Sequence, residues 1–273
     1  MERIESASNA KIKWAASLHQ RKNRERCGEF VAEGVRLAEM AAASDWPLRF
    51  CIVTESALAG ERVRKIIDAL DTKGCPIFIV PPNVYQKASA TESPQGILLV
   101  MKAVHSSLSG LVVRKDSLFV ILDRVQDPGN AGTIIRTADA AGCSGVIVLE
   151  GTVDLFSDKA VRSSMGSLFH LPIVTHVTAT EWAAFMREQG ISCYAALLDQ
   201  EAAPYFTKDY RRASAVVFGN EGNGISSEML DEAEHIYIPM VGRAESLNVA
   251  TSAAIVLYEA FRQRYSEDSS QQR

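Results

Sequence analysis

Three segments of this 273-residue chain combine side chains whose types and spacing could do chemistry. The segment Asp127-Pro128-Gly129-Asn130-Ala131-Gly132-Thr133-Ile134-Ile135-Arg136-Thr137-Ala138 sets an amide and a guanidinium in one short stretch. Phe218-Gly219-Asn220-Glu221-Gly222-Asn223-Gly224 holds a carboxylate among glycines, directly after an apolar run. Ile238-Pro239-Met240 and Ser246-Leu247-Asn248-Val249 then lead into a long apolar helix. Glycine at 219, 222 and 224 lets main-chain donors and acceptors approach a ligand with no Cβ in the way, so the pattern describes a pocket built largely from backbone. A tight turn alone would account for the glycines but not for the acid held between them.

The elements that position these segments are legible as an alternation. From Ser117 onward, apolar strands at Leu118–Leu122, Gly145–Leu149, Ile173–His176, Ser192–Leu197, Ser214–Phe218 and His235–Ile238 are interleaved with helical patterns at Thr133–Ala141, Ser157–Phe169 and Glu181–Gln189. Such alternation predicts a parallel sheet with helices on both faces, whose ligands sit in the loops at the strands' C-terminal ends. Every candidate segment falls in such a loop. The glycine loop GxGxxG is missing after the first strand, which argues against a dinucleotide-dependent redox enzyme. The first hundred residues read as a smaller α/β module: helical patterns over Asn9–Gln20, Val31–Ala43 and Glu61–Asp71, and apolar runs at Phe50–Val53, Pro76–Val80 and Gly96–Met101. The domain plan is therefore 1–105, a linker over 106–116, a second domain over 117–265 and a polar tail over 266–273.

Composition narrows the class. Hydrophobic residues make up 47% of the chain, and no apolar run approaches the roughly 20 residues needed to span a bilayer. The start of the chain shows no signal-peptide pattern, and five scattered cysteines without a CxxC pair read as free thiols of a reducing cytosol. The five histidines form no metal-ligand spacing, so no metal site is expected. Net charge is −4, unevenly spread: residues 1–105 carry fifteen basic against twelve acidic residues, leaving −7 for the rest. The densest basic run, Arg21, Lys22, Arg24 and Arg26, is a candidate phosphate contact or a solvated helix face.

Together the three segments closely resemble the motifs of the SpoU/TrmH family of RNA ribose 2′-O-methyltransferases, over nearly all of 117–264. The resemblance implies a deep trefoil knot in the C-terminal domain and S-adenosylmethionine as methyl donor. It sets that cofactor against the backbone of Gly219, Ile238 and Leu247, within the loops that also hold Asn220, Gly222, Gly224 and Met240. Leu198 is either a wall for the adenine or ordinary core. By the same resemblance Arg136 is the catalytic arginine. A guanidinium stays protonated in proteins, which suits it to stabilising a developing alkoxide better than to acting as a base. Asn130 either holds the ribose or makes the turn, with the resemblance favouring function. Glu221 is expected to orient Arg136 or Asn248, and Ser246 to cap the final helix. This polar set, free of histidine, cysteine and metal, suits alcohol methylation.

Over residues 1–105, Asn9 with Lys11, the Arg21–Arg26 run and Glu29-Phe30-Val31-Ala32-Glu33-Gly34-Val35-Arg36 resemble the ribosomal-protein-like α/β/α substrate-binding domain that many members carry, which favours ribosomal RNA as substrate. A tRNA ribose methyltransferase and a non-catalytic RNA-binding member are the alternatives. Family members are homodimers, and Val249, Ala253, Val256 and Ala260 on the last helix form a stripe for a subunit contact or for burial against their own sheet.

Overall fold

The computed structural model describes residues 1–199 and 202–265; the expected polar tail, 266–273, lies outside the described residues. The chain first forms β1 (Glu2–Arg3), α1 (Ala10–Ser17), α2 (Arg21–Cys27), β2 (Glu29–Glu33), α3 (Val35–Ala43), β3 (Leu48–Thr54), α4 (Glu55–Leu58), α5 (Glu61–Thr72), β4 (Ile77–Val80), α6 (Pro82–Ala88) and β5 (Ile97–Lys102). It continues through β6 (Leu118–Asp123), α7 (Pro128–Ala140), β7 (Gly145–Leu149), α8 (Asp158–Ser164), β8 (Ile173–Val177), α9 (Ala179–Gln189), β9 (Ser192–Ala196), β10 (Ala203–Pro204), β11 (Ser214–Gly219), α10 (Ser227–Leu230), β12 (Glu234–Tyr237) and α11 (Val249–Arg264). These elements make two compact units: residues 1–104 with 154–170, and residues 105–153 with 171–273.

In the first unit a five-stranded sheet runs in the order β1-β4-β3-β5-β2. Strands β1, β4 and β3 are parallel, and β5 is antiparallel to both β3 and β2. One face buries Ile12, Ala15, Val31, Phe50, Ile52, Tyr85, Leu98 and Val100. The helix expected over Val31–Ala43 is in fact a strand and a helix. Glu29–Glu33 is extended and wholly buried, and Gly34 turns the chain at φ 107°, a conformation open to glycine, before α3 begins. Helices α4 and α6 were not foreseen, and α2 is the helix that one reading of the basic run implied.

Asp154–His170, expected among the alternating elements of the second domain, belongs to the first unit instead. Its anchors are aromatic and ionic. Phe156 lies 5.1 Å from Phe30, and Phe169 lies 5.3 Å from Trp46, ring centre to ring centre. Asp154 accepts a hydrogen bond from Arg24 Nε at 2.8 Å, while Arg24 Nη1 donates to the Leu18 carbonyl. His19 completes the attachment. Its Nε2 donates to the Ala88 carbonyl and its Nδ1 faces both Asp158 oxygens at 3.0 Å, a hydrogen bond that raises the imidazole pKa.

Arg24 is thus 7% exposed and structural, not a phosphate contact as expected from the basic run. Arg21 is exposed and ion-paired with Glu25 one turn on. Only Lys22 and Arg26 of the four have no ion-pair partner among the described residues.

The second unit is a seven-stranded sheet, β10-β12-β9-β11-β6-β7-β8, in which every ladder is parallel. Strands β6 and β11 are buried throughout, as near-continuous apolar runs must be when both faces are covered. The supposed linker takes part in this unit. Ser106 donates its N–H to Ile173 at the edge of β8, and Leu108, Leu111 and Val113 pack on the core built around Phe119, Trp182 and Val217. Ala253, Val256 and Ala260 of α11 are fully buried, so the apolar stripe faces its own sheet; Val249 lines a cavity described below.

Because Arg24 and Asp154 form a buried pair, with side chains 7% and 14% exposed, removing one member strands the other. Arg24→Ala is expected to cost about 3 kcal/mol or more. Lys22→Ala should stay within about 0.5 kcal/mol. Urea denaturation of both variants, followed by circular dichroism, checks the contrast.

Candidate active site

Strands β6 and β11 are neighbours with Gly219 in register with Asp123, so the loops that leave their C-terminal ends start side by side. Here the strand order reverses: β7 and β8 continue on one side of β6, and β9, β12 and β10 lie beyond β11. Such a switch point opens a crevice above the sheet. Beside it, the loops that leave β9, β11 and β12 enclose a cavity of about 430 Å³. Its floor comes from Ala196, Phe218 and Ile236, one wall from Gly219–Gly222 and Gly224, another from Ile238 and Met240, and its far side from Ser246–Val249, Ser252 and Val256. Leu198 and Tyr205 close the remaining edge. Leu198 is 69% exposed, which rules out ordinary core.

The glycine loop is shaped by its own atoms. Asn220 and Gly224 exchange backbone hydrogen bonds at 2.9 Å in both directions, and Asn220 Oδ1 accepts from the N–H groups of Gly222 and Asn223. Asn220 Nδ2 donates to the Arg124 carbonyl and so ties this loop to the one after β6. Its side chain is a loop fastener. Gly219 is required by packing: a Cβ there would lie 2.4 Å from the carbonyl carbon of Gly224. At Gly222 a Cβ would meet only Asn220 Oδ1, at 3.6 Å.

Glu221 joins the segments. Its Oε1 accepts from Asn130 Nδ2 at 2.9 Å and from the Asp127 N–H at 3.1 Å; its Oε2 accepts from the Gln126 N–H at 3.0 Å. Asn130 Oδ1 in turn accepts from Asn248 Nδ2 at 3.0 Å. Partial burial pushes the Glu221 pKa up, but the donors of Asn130, Gln126 and Asp127 outweigh it, and the carboxyl titrates below its ordinary value. Glu221 therefore reaches Asn248 through Asn130 and does not touch Arg136, contrary to one half of its expected role.

Two more expectations change. The final helix is capped by Asn248, whose Oδ1 accepts from the N–H groups of Ala250 and Thr251; Ser246 lines the cavity but caps nothing. Helix α7 begins at Pro128, with Asp127 as its cap, five residues before Thr133. Aspartate followed by proline is a helix-start signal that the sequence displayed. The earlier start puts Asn130 in the first turn and Arg136 in the third. Arg136 is exposed and has no hydrogen-bond or ion-pair partner among the described residues, Asp139 included.

Several contributors carry no sequence signal of their own. Arg124 adopts φ 57°, and its N–H is held by Thr152 Oγ1. Asp123, 2% exposed, accepts from the Ser226 N–H and so anchors the far end of the glycine loop. The main-chain groups of Ile238 and Leu247 have no hydrogen-bond partner among the described residues, although both residues line the cavity. Among the described residues no group of histidine, cysteine and acid could hold a metal, and burial pushes the thiols of Cys143 and Cys193 up to about 12, far from reactive.

Gly219→Ala should force Gly224 and Ile225 away from β11 and open the loop. The expected outcome is a folded protein that has lost at least ~10-fold in affinity for the cavity's ligand, read by calorimetry, with a lowered melting temperature.

Comparison with known proteins matches this geometry to a family. Residues 117–258 match the SpoU rRNA Methylase family, and residues 9–99 match the MRM3-like substrate binding domain. The chain is 36% identical to the 23S rRNA (guanosine(2553)-2′-O)-methyltransferase RlmP of Bacillus subtilis, over 94% of this chain and 98% of that protein. It is 34% identical to the 23S rRNA (uridine(2479)-2′-O)-methyltransferase of Streptomyces viridochromogenes, over 97% of this chain and 93% of that one. Among solved structures, an rRNA methyltransferase from Sinorhizobium meliloti with AdoMet bound superposes with a TM-score of 0.88 at 33% identity, covering 97% of this chain and 98% of its own. With the sheet, the cavity and the joined loops in place, the chain belongs to the SpoU rRNA methylase family.

Proposed function

We propose that this protein transfers the methyl group of S-adenosylmethionine to a ribose 2′-hydroxyl of ribosomal RNA. The observation that carries the reading is the cavity above β11 and β12, about 430 Å³, within the range of small-ligand sites. It combines apolar walls at Leu198, Ile236 and Val256 with unpartnered main-chain groups at Ile238 and Leu247, the mixture that an adenine and an amino-acid moiety require. The residues therefore fit S-adenosylmethionine, which supplies an electrophilic methyl group on a sulfonium. The relatives named above act on 23S rRNA, and the substrate class is carried over from them.

The side chains divide the remaining work. Glu221 holds Asn130, and Asn130 holds Asn248, so the first turn of α7 and the start of α11 are locked together at the mouth of the cavity. The Asn130 amide is placed to orient the ribose. Arg136 is an exposed cation with no partner among the described residues, free to face RNA. Its guanidinium stabilises the oxygen of the attacking hydroxyl as charge develops, and the hydroxyl proton leaves directly to a substrate phosphate or to water. Backbone of Gly219, Gly222 and Gly224 contacts the cofactor, with Leu198 and Met240 as walls; Ser246 lies at the rim.

A homodimer is part of the proposal. Tyr258, Tyr265 and Phe206 are about half exposed, and Phe261 stands 5.8 Å from Tyr258 and 5.3 Å from Tyr265, ring centre to ring centre. This aromatic face of α11, opposite the buried stripe, is the candidate subunit contact. Light scattering at micromolar concentration should give about twice the 29.8 kDa of one chain, and a monomeric mass would count against the contact.

Arg136→Ala should leave S-adenosylmethionine affinity within about two-fold and reduce methyl transfer to ribosomal RNA by at least ~10²-fold. Calorimetry with the cofactor and single-turnover transfer of labelled methyl separate the two effects. Turnover within a few-fold of the parent chain would make Arg136 a structural residue and remove the mechanism's central group.

A further inference from the structure

With Arg24 buried and Arg21 paired, the basic run of α2 offers few free cations for phosphate. Another surface of the first unit offers more. At one end of its sheet, Glu29 of β2 pairs directly with Lys102 of β5, so the two side chains stand on the same face. Glu29 is 4% exposed; one of its oxygens accepts from the indole Nε1 of Trp14 at 2.8 Å, and the other takes the guanidinium of Arg49. One buried carboxylate thus fixes the planes of two flat groups side by side. Arg49 is free to reach it because the β3–β5 ladder slips between Leu48 and Phe50. Lys11 completes the group, its ammonium 5.3 Å from the centre of the Phe50 ring.

Lys11, Trp14, Arg49 and Phe50 line an open recess of about 400 Å³, in which Trp14 remains partly exposed. Lys11 and Arg49 line the recess with Glu29, and Lys102 stands across the ladder from that acid; neither lysine has an ion-pair partner among the described residues. A pinned indole beside unpaired cations matches what single-stranded nucleic acid offers: a flat base followed by a phosphate. A base inside a duplex keeps both faces stacked on its neighbours and has none to present.

We propose that this recess holds one unpaired nucleotide of the RNA substrate, its base stacked on Trp14 and its flanking phosphates against Lys11, Arg49 and Lys102. The inference rests on the reading of the chain as an RNA methyltransferase and specifies where, and in which form, the substrate is gripped away from the cavity. Glu29 is the positioning residue: it contacts no RNA but sets the angle of the stacking surface.

The test uses the full chain and a ten-nucleotide single-stranded RNA of mixed sequence, alone and annealed to its complement. The single strand should quench tryptophan emission and the duplex should not. In Trp14→Phe the quenching should vanish, since Trp46 and Trp182 lie outside the recess. Trp14→Ala should weaken binding roughly 5- to 100-fold. The double variant Lys11→Gln, Lys102→Gln should weaken it at least ~10-fold and lower the slope of log K against log salt by about 1.4. S-adenosylmethionine affinity, measured in parallel, reports that each variant is folded. If a Trp14 variant does not fold, the lysine pair decides the question. Quenching that persists in Trp14→Phe, or a lysine variant with the parent's affinity and salt slope, overturns the recess. A parent chain that methylates ribosomal RNA while all variants bind alike overturns the recess alone; one that neither methylates nor binds RNA overturns the functional reading too.

Discussion

The structure of the site depends on a single carboxylate. Glu221 stands on the loop after β11, and all three of its external donors, Gln126 N–H, Asp127 N–H and Asn130 Nδ2, stand on the loop and helix start after β6. Hydrogen bonds to an ionised acceptor are about twice as strong as neutral ones, and three of them converge here. They fix the helix start whose third residue, Asn130, then reaches Asn248 at the cap of α11. The cavity lies between the segments so joined. Its opening is therefore set by an ionic interaction near solvent, while its floor is set by the buried ladder of β11, β9 and β12.

The function proposed above asks nothing of this polar site that only a histidine could supply. The reaction asks for a gripped methyl donor, an oriented hydroxyl and a fixed positive charge nearby, none of which requires a group that titrates near neutrality. In the function proposed above, the asparagines orient, glycine backbone grips, and Arg136 supplies the charge. Asn220 shows the economy of such loops, because its amide oxygen closes the turn by accepting from Gly222 and Asn223 while its amide nitrogen donates to Arg124 on the neighbouring loop.

In the first unit the same physics runs through buried charges. Arg24 with Asp154, Glu29 with Trp14 and Arg49, and Glu33 with Ser89, Ala90 and Thr91 each place an ion where water is scarce and satisfy it with several partners. Unpaired, any of these would be costly; fully bonded, they select one packing of helices and loops. The segment 154–170 is held by one such pair together with the Phe30, Trp46, Phe156 and Phe169 rings.

The amino-acid sequence by itself determined the parallel sheet, the order of its strands along the chain and the loops that carry chemistry. Those follow from local facts: apolar runs of strand length, helical periodicity, and glycines around one acid. It also displayed the cap at Asp127 and the turn at Gly34, where local signals were present but outweighed by apolar periodicity in the reading of Thr133 and Val31 as helix starts. Tertiary structure alone decided the rest. Whether Arg24 meets solvent or Asp154, whether Glu221 holds Asn130 or Arg136, and whether α11 turns Val256 or Tyr258 to its sheet all depend on partners tens to more than a hundred residues away. A basic run looks the same on paper whether its cations are buried or free, because the desolvation that separates the two cases exists only once the chain has folded.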